Sequence, residues 1–254
     1  MCRHLAYLGP ARPMRPLLTA SPHSLCHQSE APLHQREGAT NRDGWGVGWW
    51  TPDGVLERYR TAVPMSEDGA FDRGDEASGA VLAAARHASP HSELIDLNNA
   101  PFTDGRWLFS LNGYVDGFFD RGIGDELRAL LPPEAVRALR GDADTEVLFA
   151  LVEQLLAVGA RPGQALGEVI ATVVARTDGR LNLLLTDGEQ AWATTWGNSL
   201  FTLAGVGLAA GGALIASEPL DDHPAWQPVP DRSLVEASAA GVTISPLAGI
   251  EGAA

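Results

Sequence analysis

Lysine is missing altogether from the 254 residues: every one of the 18 basic side chains is an arginine. That excludes Schiff-base lysine chemistry, a pyridoxal phosphate anchor and a phosphate-binding P-loop, each of which needs an ε-amine. Positive charge of any kind is scarce. Against 32 acidic residues it leaves a formal net charge of −14, with no long acidic block. A nucleic-acid partner is not expected, because binding a polyanion requires a basic face that releases its counterions. No apolar run approaches the ~20 residues that cross a bilayer. The stretch from Met1 to Pro10 also lacks the apolar length of a secretory signal. A cytoplasmic protein without a membrane partner is the expectation. Cysteine occurs only at Cys2 and Cys26, and a cytosolic domain of this size needs no disulfide. His23, Cys26 and His27 lie close together, but their spacing matches no standard metal-ligand pattern and no second ligand pair follows. Neither a metal nor another cofactor is expected. With no internal repeat, low-complexity tract or Pro-rich linker, residues 2–250 read as one domain.

What is present is a strand-rich pattern around a helical middle. Alternating apolar, β-branched and aromatic residues predict strands at 2–8, 45–51, 80–87, 106–112, 181–186, 190–196, 200–204, 213–216, 233–237 and 241–245. Turn signals separate them, and Asp187-Gly188-Glu189 reads as the turn of a hairpin. Val147, Leu148, Leu151, Val152, Leu155 and Leu156 form one stripe, which predicts a helix over 145–158. Further helices are predicted at 163–175, near 14–28 and near 123–139, with Pro132-Pro133 starting a new helix rather than sitting inside one. Strands, helices, then strands again suit two stacked antiparallel sheets with helices on the outer faces, an α+β class.

Cys2 directly follows the initiator Met. Trimming Met1 would leave a thiol and a free α-amine on one residue, and an amine of pKa ~7.7–8.0 can act as general base near neutrality. Position alone fits equally well a Cys2 that merely fills the core of the first strand. Four other segments bear on the choice: Asn41-Arg42-Asp43-Gly44-Trp45-Gly46-Val47-Gly48-Trp49, Arg86-His87-Ala88-Ser89, Asn112-Gly113 and Asp144-Thr145-Glu146. Taken singly, each has an ordinary structural explanation. The first is a turn into a glycine-spaced strand, without the spacing or the following helix of a dinucleotide fingerprint. Arg86 can be a surface ion-pair residue, Asn112-Gly113 a hairpin turn and Asp144 a helix N-cap.

Together, and in this order after Cys-Arg-His-Leu-Ala-Tyr-Leu-Gly, they resemble the class II (N-terminal nucleophile) glutamine amidotransferase family, along with Asn98-Asn99-Ala100-Pro101-Phe102. The resemblance runs from Cys2 to about Phe149, and it implies an αββα sandwich of two antiparallel sheets. It also implies roles. Cys2 attacks a γ-glutamyl amide, Arg86 grips the α-carboxylate through a planar guanidinium, and Asp144 binds the α-ammonium. Asn112 and the backbone N–H of Gly113 form the oxyanion hole, while Ser89, Gly44, Trp45 and Gly46 line the glutamyl pocket. Two positions depart from the family pattern: Leu111 and Ala100 stand where many members carry histidine.

The chain carries no recognisable synthase or isomerase extension to consume ammonia. Its opening nonapeptide through Pro10 and its stand-alone length look most like the branch of the family that serves ergothioneine biosynthesis. That likeness implies hydrolysis of a small-molecule γ-glutamyl substrate whose leaving half carries a trimethylammonium group. An aromatic, acidic pocket suits such a cation, and Trp45, Trp49 and Trp50 are its candidates. The alternatives are a hydrolase of glutathione-type γ-glutamyl peptides or a stand-alone glutaminase subunit, an amidase of the bile-salt or penicillin type, and a non-catalytic binding protein on the same scaffold.

Overall fold

The computed structural model describes residues 2–35, 40–69 and 76–247. Met1, the glycine-alanine end at 252–254 that reads as frayed, and the last residues of the domain range 2–250 lie outside them. The strands are β1 (Arg3–Pro13), β2 (Trp45–Trp50), β3 (Leu56–Thr61), β4 (Ala77–Ala85), β5 (Leu108–Val115), β6 (Gly179–Thr186), β7 (Gln190–Thr194), β8 (Phe201–Ala204), β9 (Ala213–Ala216), β10 (Gln227–Pro228), β11 (Ser233–Ser238) and β12 (Gly241–Pro246). Among the described residues they form one seven-stranded sheet, ordered β10-β8-β9-β1-β4-β2-β3, and one five-stranded sheet, ordered β12-β11-β7-β6-β5. Neighbours within both sheets run antiparallel.

Strand alternation sorts the side chains into three apolar layers. From β1, Ala6 and Leu8 point between the sheets, where they meet Leu82, Leu108, Leu184 and Ile215. Leu5 and Tyr7 point to the opposite face, with Leu17, Leu18 and Leu25 from the segment around α1 (Leu25–Glu30). On the second sheet Phe109, Leu111 and Leu183 are covered by α4 (Asp144–Ala157) and α5 (Pro162–Val174). The expected apolar stripe of α4 lies in this layer, with Val147, Leu148, Leu151 and Val152 buried. The architecture is therefore helix, sheet, sheet, helix. No helix among the described residues is long and apolar enough to cross a membrane.

Several local expectations change. The 14–28 segment is a π-turn (Pro16–Ala20) followed by α1, not one helix. The 123–139 segment splits into α2 (Ile123–Arg128) and α3 (Pro133–Ala138), and Pro132-Pro133 opens the second as expected. The sequence pattern misses β3 because Glu57, Arg58 and Arg60 break the apolar alternation; such charges are typical of an edge strand, which β3 is. Asn112-Gly113 is not a hairpin turn but the middle of β5, paired with Asn182 and Leu181. Asp144 is not the N-cap of α4: Ala143 holds that position and Asp144 is the first helical residue.

Candidate active site

The site forms where β1, β4, β5 and α4 converge. β1 pairs with β4 so that Arg3 faces Ala85. One residue beyond the ladder, the same register sets Cys2 beside Arg86. A narrow slot opens there, lined by Cys2, Arg86, Ser89, Gly113 and Asp144, with Leu111 and Ala100 also among its walls. Cys2 is half-buried, its thiol 3.8 Å from the His87 carbonyl oxygen.

Arg86 is buried, and its guanidinium donates to the Glu93 carbonyl (3.1 Å) and to Ser92 Oγ (2.6 Å). Ser92 in turn donates to Asp142 Oδ1 at 3.1 Å. Both direct partners of Arg86 are neutral. Among the described residues no carboxylate lies within ion-pair distance of this buried cation. Asp144, also buried, accepts hydrogen bonds from the Val115 N–H (3.1 Å) and the Thr145 N–H (2.7 Å). Burial pushes its carboxyl pKa up, while these N–H groups, the Thr145 hydroxyl and the Arg86 charge oppose the rise. The slot thus presents one positive and one negative group, neither neutralised by a contact ion pair.

Gly113 contributes backbone rather than a side chain. Opposite it, Leu181 turns its N–H away from β5, toward the Trp196 carbonyl. Antiparallel pairs alternate between bonded and non-bonded, so Gly113 is a non-bonded pair and its N–H faces off the free edge of β5. The Phe109 and Val115 N–H groups leave on that edge too, toward the Phe102 carbonyl and Asp144. A side chain is excluded at 113: a Cβ there would sit 1.8 Å from the Arg180 carbonyl oxygen.

Asn112 does not line the slot. Its side chain is buried between the sheets, where Oδ1 accepts from Arg3 Nη2 (3.4 Å) and Nδ2 donates to Ser217 Oγ (3.2 Å). Gly44, Trp45 and Gly46 are likewise absent from the lining, which corrects their expected place there. The Trp45 ring belongs to the layer under α1, tilted against the Tyr59 ring, with Nε1 donating to Asp68 Oδ2 at 3.0 Å. Alternation along β2 carries Trp49 to the same outer face, while Trp50 packs against the core between the sheets. The glycines serve close approach instead: a Cβ on Gly46 would meet the Ala100 carbonyl at 2.4 Å. Gly44 adopts φ +111°, and its carbonyl accepts the Arg86 N–H at 2.8 Å, so the turn braces Arg86 from behind.

Residues that sequence reasoning missed hold this arrangement. Arg3 is buried and donates to the Cys2 carbonyl (2.8 Å), to Asn112 and to Glu218 Oε1 (2.8 Å). Glu218 also accepts the N–H groups of Leu33 and His34. Asn198 Nδ2 donates to the Asn112 carbonyl at 2.9 Å. The available signal was a charge at each end of otherwise apolar strand segments, Arg3 before β1 residues 4–8 and Ser217-Glu218 after β9. No cluster of metal-ligating side chains occurs among the described residues.

Comparison with solved structures places the fold. A glutamine aminotransferase class-II domain protein from Silicibacter pomeroyi superposes with a TM-score of 0.72 at 22% identity, covering 98% of this chain and all of that one. Glutamine phosphoribosylpyrophosphate amidotransferase from B. subtilis gives 0.65 at 13% identity, covering 98% of this chain and 49% of the other. The fold is the αββα sandwich of the class II glutamine amidotransferases. No family model matches the chain. Its sequence is 39% identical over 250 residues to a γ-glutamyl-hercynylcysteine sulfoxide hydrolase from Mycolicibacterium smegmatis, spanning 97% of this chain and 100% of that protein. A protein of the same name from Mycobacterium tuberculosis is 39% identical over 251 residues, 97% of each chain. The chain belongs to the γ-glutamyl-hercynylcysteine sulfoxide hydrolase family.

Proposed function

We propose that the chain is an amidohydrolase that cleaves γ-glutamyl-hercynylcysteine sulfoxide to glutamate and hercynylcysteine sulfoxide in ergothioneine biosynthesis. One observation carries this reading beyond the likeness to named hydrolases: a buried arginine and a buried aspartate, without a contact ion pair between them, line the same slot as Cys2. An α-amino acid head, carboxylate and ammonium together, neutralises both at once. The narrowness of the slot suits the unbranched γ-glutamyl chain reaching from that head to Cys2.

Removal of Met1 frees the Cys2 α-amine. The amine takes the thiol proton and Sγ adds to the γ-carbonyl carbon. The Gly113 N–H, off the free edge of β5, meets the oxyanion. Asn112, whose side chain lies between the sheets and not in the slot, supports this edge from behind through Arg3 and Ser217. The ammonium formed on Cys2 protonates the leaving amine as the C–N bond breaks, which leaves a thioester. Water, deprotonated by the same amine, then releases glutamate and restores the thiol. Ser89 is among the residues that line the slot. Two unpaired cysteines suit a reducing, cytoplasmic setting.

Intact-mass analysis with a glutamine-mimicking diazoketone tests the nucleophile. The expected result is a chain lacking Met1 that carries one adduct on Cys2 and none after Cys2→Ala. Labelling of Cys26, or none, overturns it. A kcat/KM panel of γ-glutamyl-hercynylcysteine sulfoxide, glutathione and glutamine tests the substrate. Preference for either of the latter two makes the chain a general γ-glutamyl hydrolase or a glutaminase instead.

A further inference from the structure

Beside the Cys2 slot lies a second, larger cavity of about 380 Å³. The two share His87, Ser89 and Gly113, and the larger one adds Tyr114, Phe118, Phe119, Asp116 and Asp120. Gly113 is the junction. Its N–H marks the oxyanion position of the proposed reaction, so a glutamyl head held by Arg86 and Asp144 projects its leaving amine past Gly113. The space beyond is this cavity.

Its walls have a consistent chemistry. Tyr114 and Phe119 are both half-buried, with ring surface available toward the opening, and Phe118 lies behind them against Phe119. Two carboxylates stand at the rim. Asp116 is paired with Arg121 at 2.5 Å, whereas Asp120 is exposed and forms no ion pair among the described residues. The basic groups facing the same space are His87, whose pKa is lowered chiefly by burial, and the exposed His91. The Arg121 charge is answered by Asp116, so the rim retains one unmatched negative charge beside aromatic faces. Aromatic rings and a carboxylate are what a desolvated quaternary ammonium requires, since it can donate no hydrogen bond and is held only by ring quadrupoles and charge.

We propose that this second cavity is the leaving-group subsite, and that Tyr114, Phe119 and Asp120 select the trimethylammonium end of the substrate. The inference rests on the substrate proposed above and supplies its specificity residues, in place of the tryptophans that the sequence suggested.

The test compares two substrates across three proteins. Wild type, Phe119→Ala and Asp120→Asn are assayed for kcat/KM on γ-glutamyl-hercynylcysteine sulfoxide and on γ-glutamylcysteine, which has the same scissile bond but no cation. Each variant is expected to lose about three- to thirtyfold on the methylated substrate and to stay within about twofold of wild type on γ-glutamylcysteine. The exposed Asp120 keeps the test sound if Phe119→Ala folds poorly. If wild type prefers the methylated substrate and Asp120→Asn keeps that preference undiminished, the subsite is wrong while the substrate stands. If wild type shows no such preference, both are wrong.

Discussion

Arg3 and Glu218 form an ion pair of 2.8 Å in which both side chains are shielded almost wholly from solvent, at 1% and 2% exposure. The arginine follows Cys2, the proposed nucleophile, in the chain and also holds the carbonyl of Cys2 and the side chain of Asn112. Burial lowers the Arg3 pKa, and the Glu218 charge counters the effect. The pair therefore ties Cys2, the β5 edge and the end of β9 into one polar cluster within an apolar molecule.

Breaking that pair from one side leaves a buried charge uncompensated. Glu218→Gln is expected to lower stability by about 3–5 kcal/mol, read as a shift of the urea midpoint at constant slope. The double variant Arg3→Met, Glu218→Leu removes both charges and is expected to be more stable than Glu218→Gln alone. A double variant as unstable as the single one contradicts this account.

The proposed role of the slot charges is to hold substrate rather than to stabilise the fold. Arg86→Met and Asp144→Asn are each expected to reduce kcat/KM for γ-glutamyl substrates by about 10- to 150-fold, the worth of a charge-assisted hydrogen bond. Retention of full activity by both would point to an amidase that does not recognise an amino acid head, as in hydrolases of the bile-salt or penicillin type.

Gly113→Ala must displace β5, because the new Cβ would lie 1.8 Å from the Arg180 carbonyl oxygen. Moving the strand moves the proposed oxyanion donor. A fall in kcat of about 10²-fold or more is expected, together with a lower Tm. Thioester build-up in rapid-quench experiments should fall in parallel.

His4 gives the molecule a defined acid sensitivity. It is fully buried, Nδ1 lies 2.9 Å from Ser110 Oγ, Nε2 has no partner among the described residues, and burial lowers its pKa to about 3. Between its unfolded pKa near 6.5 and about 3, only the unfolded chain takes up the proton. Stability is therefore intact above pH 6.5 and declines as the pH falls through that window. The expected loss between pH 6.5 and 5 is about 2 kcal/mol. His4→Asn keeps a donor toward Ser110 and should flatten this part of the urea-midpoint profile. An unchanged slope would assign the acid sensitivity to other groups.

Cys2, Arg86, Gly113 and Asp144 were legible as a set because their residue types, in that order, suit one reaction, and the structure brings all four to one slot. Trp45 was misplaced for a specific reason. The 2-residue period shows that Trp45, Val47 and Trp49 share a face but not which face meets helices, and here it is the face under α1. Asn112-Gly113 was ambiguous because a hairpin turn and a close strand approach both call for glycine. The links from Arg3 to Glu218 and from Ser92 to Asp142 span 215 and 50 residues of chain. No local pattern encodes such partners.

The sequence by itself determined the chemical repertoire. An absent lysine, a cysteine at position 2 and an ordered series of recognisable segments restrict the reaction whatever the packing, because reactivity belongs to residue types. The period-2 and helical patterns likewise determined a layered α+β chain, since each element must bury its apolar face. Only the tertiary structure decided which candidates share a cavity, which backbone N–H stays off the ladder, and that a second cavity adjoins Gly113. Those features depend on strand register and edge position, which long-range packing sets.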